Sequence, residues 1–275
     1  YRRLALAETG STNAAALEAA RAGDVGNLWV TAVSQTSGKG RRGREWFSEP
    51  GNLYASLLLI DPAPISKIGT LPLVAALGAH RALRPFFAAN PLALAIKWPN
   101  DLLVDGRKIC GILAEAACDE RGDLDFVVIG MGLNLAVPDA GFPEELRDRA
   151  VSLTTLSARP LDRGAVVDAL CAALDRWVNR WERQGLPAFA DAWTAHALHL
   201  GRVVRLDDGD EEICATLIGL AGDGALRIRD AAGTVRDVHS GEIHSGDIHS
   251  GESGTAPSVA PIPSHLHKTH MGAFS

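Results

Sequence analysis

Paired cysteines, a long apolar run and a surplus of positive charge are all missing from this sequence. Its four cysteines (Cys110, Cys118, Cys171, Cys214) stand far apart, with no Cys-x-x-Cys pair and no histidine at ligand-like spacing. That argues against a disulfide framework or a metal ribbon and fits free thiols in a reducing compartment. No apolar stretch approaches the roughly 18–20 residues a membrane span needs, and no signal-peptide pattern opens the chain. A formal net charge of −6 speaks against a general nucleic-acid or anionic-membrane binder. These absences lead us to expect a soluble, cytoplasmic protein with no nucleic-acid or membrane partner. What is present suffices for a sizeable core: 275 residues, 47% of them hydrophobic. That length suits one large domain, or a large and a small one.

Against the acidic average, one stretch stands out. Gly38-Lys39-Gly40-Arg41-Arg42-Gly43-Arg44 packs three glycines and four cations into seven residues. Glycine lets a ligand approach the main chain closely, and arginine offers a planar fork of donors to phosphate or carboxylate. A solvated basic turn is the plainer reading of the same residues. Upstream, Ser11-Thr12-Asn13 precedes an alanine-rich run ending at Gly23. Ser11 or Thr12 suits a helix cap and Gly23 a helix end. The same hydroxyls and amide also suit a polar ligand at a helix N-terminus.

The strand-type run Leu28–Val33 leads through Gln35 into the basic loop, and Leu53–Ile60 reads as a buried strand. Ile65 to about Phe87 reads as one helix despite Pro72. A short strand, Leu94–Ile96, then carries Lys97-Trp98-Pro99-Asn100-Asp101. Leu102–Val104, the Asp105-Gly106 turn and Lys108–Cys118 form a hairpin. Leu124–Leu133 is another strand. Its Gly130-Met131-Gly132 lacks the third glycine and following helix of a dinucleotide fingerprint. Gly164 to about Arg183 reads as a long helix with the stripe Val167, Leu170, Cys171, Leu174 and Val178, and Leu186–Leu198 as its helical continuation. From Gly201 the pattern changes to short strands: Val203–Leu206, Ile213–Leu220, Ala225–Ile228 and Thr234–Val238. This predicts a small β-barrel-like module of about forty residues, marginal alone and so packed on the main domain. His239-Ser240-Gly241-Glu242-Ile243 then recurs as His244-Ser245-Gly246-Asp247-Ile248. One copy can end a strand, and the Pro-, Ser- and His-rich remainder reads as disordered.

Three elements thus lie at strand ends: the basic loop, Lys97 with its Trp-Pro-Asn-Asp turn, and Gly130–Asn134. A lysine beside a stiffening proline, at a sheet end shared with a polycationic loop, suits activation of a carboxylate by ATP. With Ser11-Thr12-Asn13, Gln35 through Trp46, Lys97 through Asp101, Lys108 through Leu113 and Gly130 through Asn134, the sequence resembles the biotin protein ligases over about residues 5 to 245. The resemblance is to the form that begins directly at the catalytic domain, without an N-terminal DNA-binding domain. It implies an α+β, class II aminoacyl-tRNA synthetase-like catalytic domain with a mixed sheet (residues 1–198), an SH3-like C-terminal domain (199–248) and a disordered tail (249–275). It also implies a biotin–[acetyl-CoA-carboxylase] ligase. Biotin and MgATP would give biotinyl-5′-AMP, and a lysine of the biotin carboxyl carrier protein would take the biotinyl group.

By position, the resemblance puts Ser11, Thr12, Asn13, Gln35, Gly38, Gly40, Arg41, Arg42, Lys97 and Gly111 around biotin. Lys39, Arg41, Arg44, Trp46, Asn100, Asp101, Lys108 and Asn134 would serve ATP, with Trp46 stacking on adenine and Asp101 serving Mg²⁺. Lys97, Arg41 and Lys108 would be catalytic, and the enzyme a monomer or homodimer. Many relatives carry arginine at the position of Lys39, so this chain keeps the charge there without the fork. A lipoate–protein ligase and a biotin-responsive repressor are the competing readings. The arginine-pair and Ser-Gly-Gly-type motif of the first is missing, and the acidic charge speaks against the second.

Overall fold

Alternation along the strands decides the architecture, because successive side chains of a strand face opposite sides of its sheet. In a computed structural model of the chain, residues 1–87, 94–138, 141–207, 209 and 211–244 are described. The larger sheet is built from β1 (Arg2–Thr9), β2 (Leu28–Gln35), β3 (Leu53–Ile60), β4 (Leu94–Lys97), β5 (Asp101–Val104), β6 (Arg107–Cys118) and β7 (Leu124–Leu133). Its spatial order is β1-β2-β3-β7-β6-β5-β4. β1 runs parallel to β2 across helix α1 (Thr12–Arg21), and every other neighbour is antiparallel. This is the expected α+β arrangement with a mixed sheet.

One face of that sheet is closed. Leu53, Ala55, Leu57 and Leu59 of β3 and Val127, Ile129, Met131 and Leu133 of β7 share a single core with two helices. The first, α3 (Leu71–Leu83), follows the short α2 (Ile65–Ile68); the second, α5 (Arg163–Gln184), follows the short α4 (Leu153–Leu156). The expected stripe Val167, Leu170, Cys171, Leu174 and Val178 is buried, and Asp162 caps α5 by accepting from the Gly164 N–H at 2.8 Å. On the other face the intervening residues Leu28, Val30, Leu58, Phe126 and Val128 make a smaller apolar cluster with Ala16 of α1.

Three expectations need correction. The helix from Ile65 to Phe87 is not continuous. It ends at Ile68, restarts at Leu71 with Pro72 in its first turn, and finishes as a 3₁₀ turn at Arg84–Phe86. Proline has no N–H for a preceding turn and its ring clashes there, so it is accommodated only at a helix start. The run Leu186–Leu198 is likewise broken into a 3₁₀ turn (Leu186–Ala188) and α6 (Ala190–Thr194), since Gly185 takes φ 66° and Pro187 follows. Its end, His196–Leu198, lies alongside β4 through Ile96 N–H to His196 O and Leu198 N–H to Ile96 O, both at 2.8 Å. Third, β1 was not foreseen: its residues are mostly exposed and show no clean alternation.

The smaller sheet is five-stranded and antiparallel: β8 (Val203–Asp207), β9 (Glu212–Leu220), β10 (Leu226–Arg229), β11 (Val235–Val238) and β12 (Glu242–His244), in the order β11-β10-β9-β8-β12. β12 comes from the first copy of the His-Ser-Gly repeat. The later copies and the tail lie outside the described residues. Val204, Leu206, Leu217, Leu226 and Ile228 join the same large core, so the two sheets share an interior. Trp98 fastens them, its indole N–H donating to Gly224 O at 3.2 Å.

Candidate active site

The basic loop begins where β2 stops. A Cβ on Gly38 would come within 2.3 Å of Ser48 Oγ and 2.7 Å of Trp46 O, so only glycine fits there. Trp46 N–H to Gly38 O (2.9 Å) and Gly40 N–H to Arg44 O (2.7 Å) then close the loop on itself. Arg42 and Gly43, at φ 56° and 72°, turn the chain through the left-handed region. Arg44 makes a bidentate pair with Glu242 of β12 (Nη1–Oε1 3.1 Å, Nη2–Oε2 2.6 Å), and Arg42 lies 3.8 Å from the same carboxylate. Arg44 thereby holds the Glu242 carboxyl below its usual range. Arg41 is half-buried and donates to Asn100 Oδ1 at 3.3 Å. Burial, then the neighbouring Arg42, lowers its pKa.

The second element is the β4–β5 turn, in which the Trp98–Pro99 peptide is cis. Burial lowers the pKa of Lys97, against the pull of Asp101 and Glu242. Lys108 of β6 sits 2.7 Å from Asp101 Oδ1 and 5.1 Å from the centre of the Trp46 ring. Asn100 ties the turn to β6, donating to Ile112 O and accepting from Ile112 N–H through its own carbonyl. Asn134 donates to Lys108 O at 3.1 Å. Among the described residues no three His, Cys, Asp or Glu side chains cluster in a way that could hold a metal.

The third element closes β7 at Gly130–Leu133, as expected, with Asn134 just beyond it, and its glycines form a floor. A Cβ on Gly132 would lie 2.4 Å from Trp46 Cε2, and one on Gly130 would lie 2.0 Å from Asn13 Oδ1. Gly111 of β6 is under Trp46 and Lys108 in the same way, at 2.7 Å and 2.9 Å. Side chains from the loop and from α1 therefore lie flat on bare strand.

At the start of α1 the expected cap is absent: Ser11 is buried but makes no side-chain cap bond. Gln35 does that work, its Oε1 accepting the Thr12 N–H at 2.8 Å while its Nε2 donates to Ser48 Oγ at 2.9 Å. Thr12 Oγ1 lies 3.1 Å from Gln35 Oε1 and 2.8 Å from Ser56 Oγ, and Ser56 Oγ lies 2.6 Å from Asn13 Oδ1. The Asn13 amide donates to Glu115 Oε2 at 2.6 Å. An open groove of about 560 Å³ runs between the loop, Ser37 to Glu45, and Leu113 and Glu115 of β6.

The structure thus gathers the anticipated residues into two neighbouring sets: Thr12, Asn13 and Gln35 at one end, Lys97, Asp101, Lys108 and Arg41 at the other. Ser48, Ser56, Glu115 and Glu242 were missed. Glu115 had a signal, the alternating series Gly111, Leu113, Glu115 along one strand face; the others had none.

Residues 8–134 match the model of the biotin/lipoate A/B protein ligase family, and residues 199–244 that of the biotin protein ligase C-terminal domain. A Paracoccus denitrificans protein named biotin–[acetyl-CoA-carboxylase] ligase is 39% identical over 230 residues, 83% of this chain and 94% of that protein. The Mycobacterium tuberculosis protein of the same name is 34% identical, over 79% of this chain and 78% of its own length. The bifunctional ligase/repressor BirA of Bacillus subtilis is 30% identical over 78% of this chain, which spans only 64% of that relative. Among solved structures, the Aquifex aeolicus biotin protein ligase in complex with biotin and ATP superposes with a TM-score of 0.74 at 28% identity, covering 88% of this chain and 97% of that one.

Proposed function

The chain belongs to the biotin protein ligase family, as an enzyme of the biotin–[acetyl-CoA-carboxylase] ligase type, and on that premise we propose the following reaction. Biotin's carboxylate oxygen attacks the α-phosphorus of ATP, the bond to the leaving pyrophosphate breaks, and biotinyl-5′-AMP forms. The amine of a carrier-protein lysine then attacks the acyl carbon, AMP leaves, a proton is lost from nitrogen, and an amide remains. The observation that carries this reading is a half-buried Lys97 that shares the pull of Glu242 with the polycationic loop, whose groove is lined by Glu115, the partner of Asn13 in the polar Thr12, Asn13 and Gln35 set.

Lys97 neutralises the attacking carboxylate and the charge developing at the α-phosphate. A cation already removed from water makes stronger contacts at that moment than a solvated one. Arg41, steadied by Asn100, takes a phosphate through its fork. Trp46, lying over Gly111 and Gly132 beside the Lys108 ammonium, supplies the face for adenine. The Thr12, Asn13 and Gln35 set receives the ureido head. Asp101 would meet the Mg²⁺ that ATP carries. Asp101 is a single carboxylate already shared with Lys108, which suits an ion carried mainly by substrate phosphates.

In the same reading, residues 1–198 form a class II synthetase-like catalytic unit and 199–248 an SH3-like one. The acceptor is the carrier protein of acetyl-CoA carboxylase, and the reaction is cytoplasmic. No helix among the described residues is long and apolar enough to cross a membrane. ATP–pyrophosphate exchange, run with biotin and lipoate in parallel, tests the proposal. Exchange is expected with biotin; exchange with lipoate alone overturns it.

A further inference from the structure

Glu115 lies at the biotin end of the groove, where the reaction needs no acid or base. Its contact explains its place. A carboxylate accepts and does not donate, so at 2.6 Å it compels the Asn13 amide to present its NH₂ group, which also reaches Leu113 O at 3.4 Å. The Asn13 oxygen is thereby turned to Ser56, where the missing Cβ of Gly130 leaves room for it. An amide of this kind has two orientations of similar shape. Glu115 selects one of them.

The selection propagates because each hydroxyl has one proton. Ser56 faces an oxygen of Asn13 at 2.6 Å, so its proton goes there. Ser56 is also the donor toward Thr12 Oγ1 at 2.8 Å, the longer of its two contacts, so Thr12 gets the lesser share of that proton. Thr12 sends its own proton to Gln35 Oε1 at 3.1 Å, whose second lone pair is free beside the one that takes the Thr12 N–H. In this order Thr12 Oγ1 receives only a shared hydrogen bond from the protein, because the Ser56 proton is drawn to Asn13. In the reverse order, Asn13 NH₂ donates to Ser56 and Ser56 gives its proton wholly to Thr12, which fills one of Thr12's two acceptor positions.

We propose that Glu115 is a positioning residue that sets this proton order and so keeps Thr12 Oγ1 an acceptor for a ureido N–H. The proposal rests on the biotin reading above. It assigns Glu115 no contact with the reacting carboxylate, so its effect belongs to biotin binding alone.

The test is calorimetric binding of biotin, with steady-state kinetics, for wild type, Glu115→Gln, Thr12→Val and the double variant. Glu115→Gln keeps shape and lets both orders form. It should weaken biotin about tenfold, leaving kcat at saturating biotin, KM for ATP and Tm unchanged. If Glu115 acts through Thr12, the double variant binds biotin no worse than Thr12→Val alone. Additive losses in the double variant, unchanged biotin affinity in Glu115→Gln, or a fall in kcat and Tm with it, would each overturn the inference. A wild type that does not bind biotin overturns the functional reading as well, whereas a wild type that binds it confines any failure to Glu115.

Discussion

The two faces of the seven-stranded sheet are made by the same strands and do opposite work. Odd positions of β3 and β7 carry Leu, Ala, Val, Ile and Met into a core closed by α3 and α5, and even positions pass from Leu58, Phe126 and Val128 to Ser56, Gly130 and Gly132. On the closed face a residue is defined by the volume it fills. On the open face the glycines are defined by volume they leave, which Asn13 and Trp46 occupy. One sheet can thus be stiff and receptive at once, because the pleat separates the two tasks by a single residue.

Removing volume from the closed face gives the largest expected effect. Leu57→Ala, at a fully buried position, should cost about 2–5 kcal/mol in urea unfolding while kcat/KM per folded molecule stays the same. A loss of activity in still-folded protein would break the division of labour. On the open side, Lys97→Ala should slow adenylate formation by about 10²–10³-fold with biotin binding still measurable and Tm retained. Adenylation at the wild-type rate would remove Lys97 from the chemistry.

The smallest effect sharpens the comparison from the closed side, through His80 of α3. Its Nε2 is 3.0 Å from Leu94 O, its Nδ1 has no partner among the described residues, and its ring stacks on His196 at 4.1 Å. Burial, then His196, with smaller contributions from Arg81 and Arg84, pushes its pKa down to about 4. The unfolded chain therefore takes up this proton before the folded one. Stability from neutral His80 is complete above about pH 6.5 and is lost as pH falls toward 4. Between pH 7 and 5 that loss is about 1–2 kcal/mol. His80→Gln should flatten the pH dependence of urea unfolding by that amount, and an unchanged slope would mean His80 is already charged or unburied.

The local parts of the site were legible in the sequence. The basic loop and the Lys-Trp-Pro-Asn-Asp turn are each contiguous, and their chemistry shows in composition. What could not be read is what those segments touch. Glu242 meets Arg44 across 198 positions, Glu115 meets Asn13 across 102, and Ser56 meets Asn13 across 43. Gly130 and Gly132 pointed to a strand end, yet their purpose depends on side chains arriving from elsewhere. The strands of the core were visible from their apolar runs. β1 was not, because at the sheet edge its side chains are mostly exposed, and pairing with β2 through the backbone needs no apolar alternation.

The pair between Arg44 and Glu242 also sets an order of completion during synthesis. Arg44 leaves the ribosome 198 residues ahead of its carboxylate, an interval of roughly 10–40 s at 5–20 residues per second. Through that time the larger sheet's strands can assemble, but the loop above them is a nascent polycation without its counter-charge. β12 follows every other strand of the two sheets, so the carboxylate that neutralises Arg44 is made after all of them. A chain released early, before Glu242, would carry every residue of the groove and still lack the one that seats its loop.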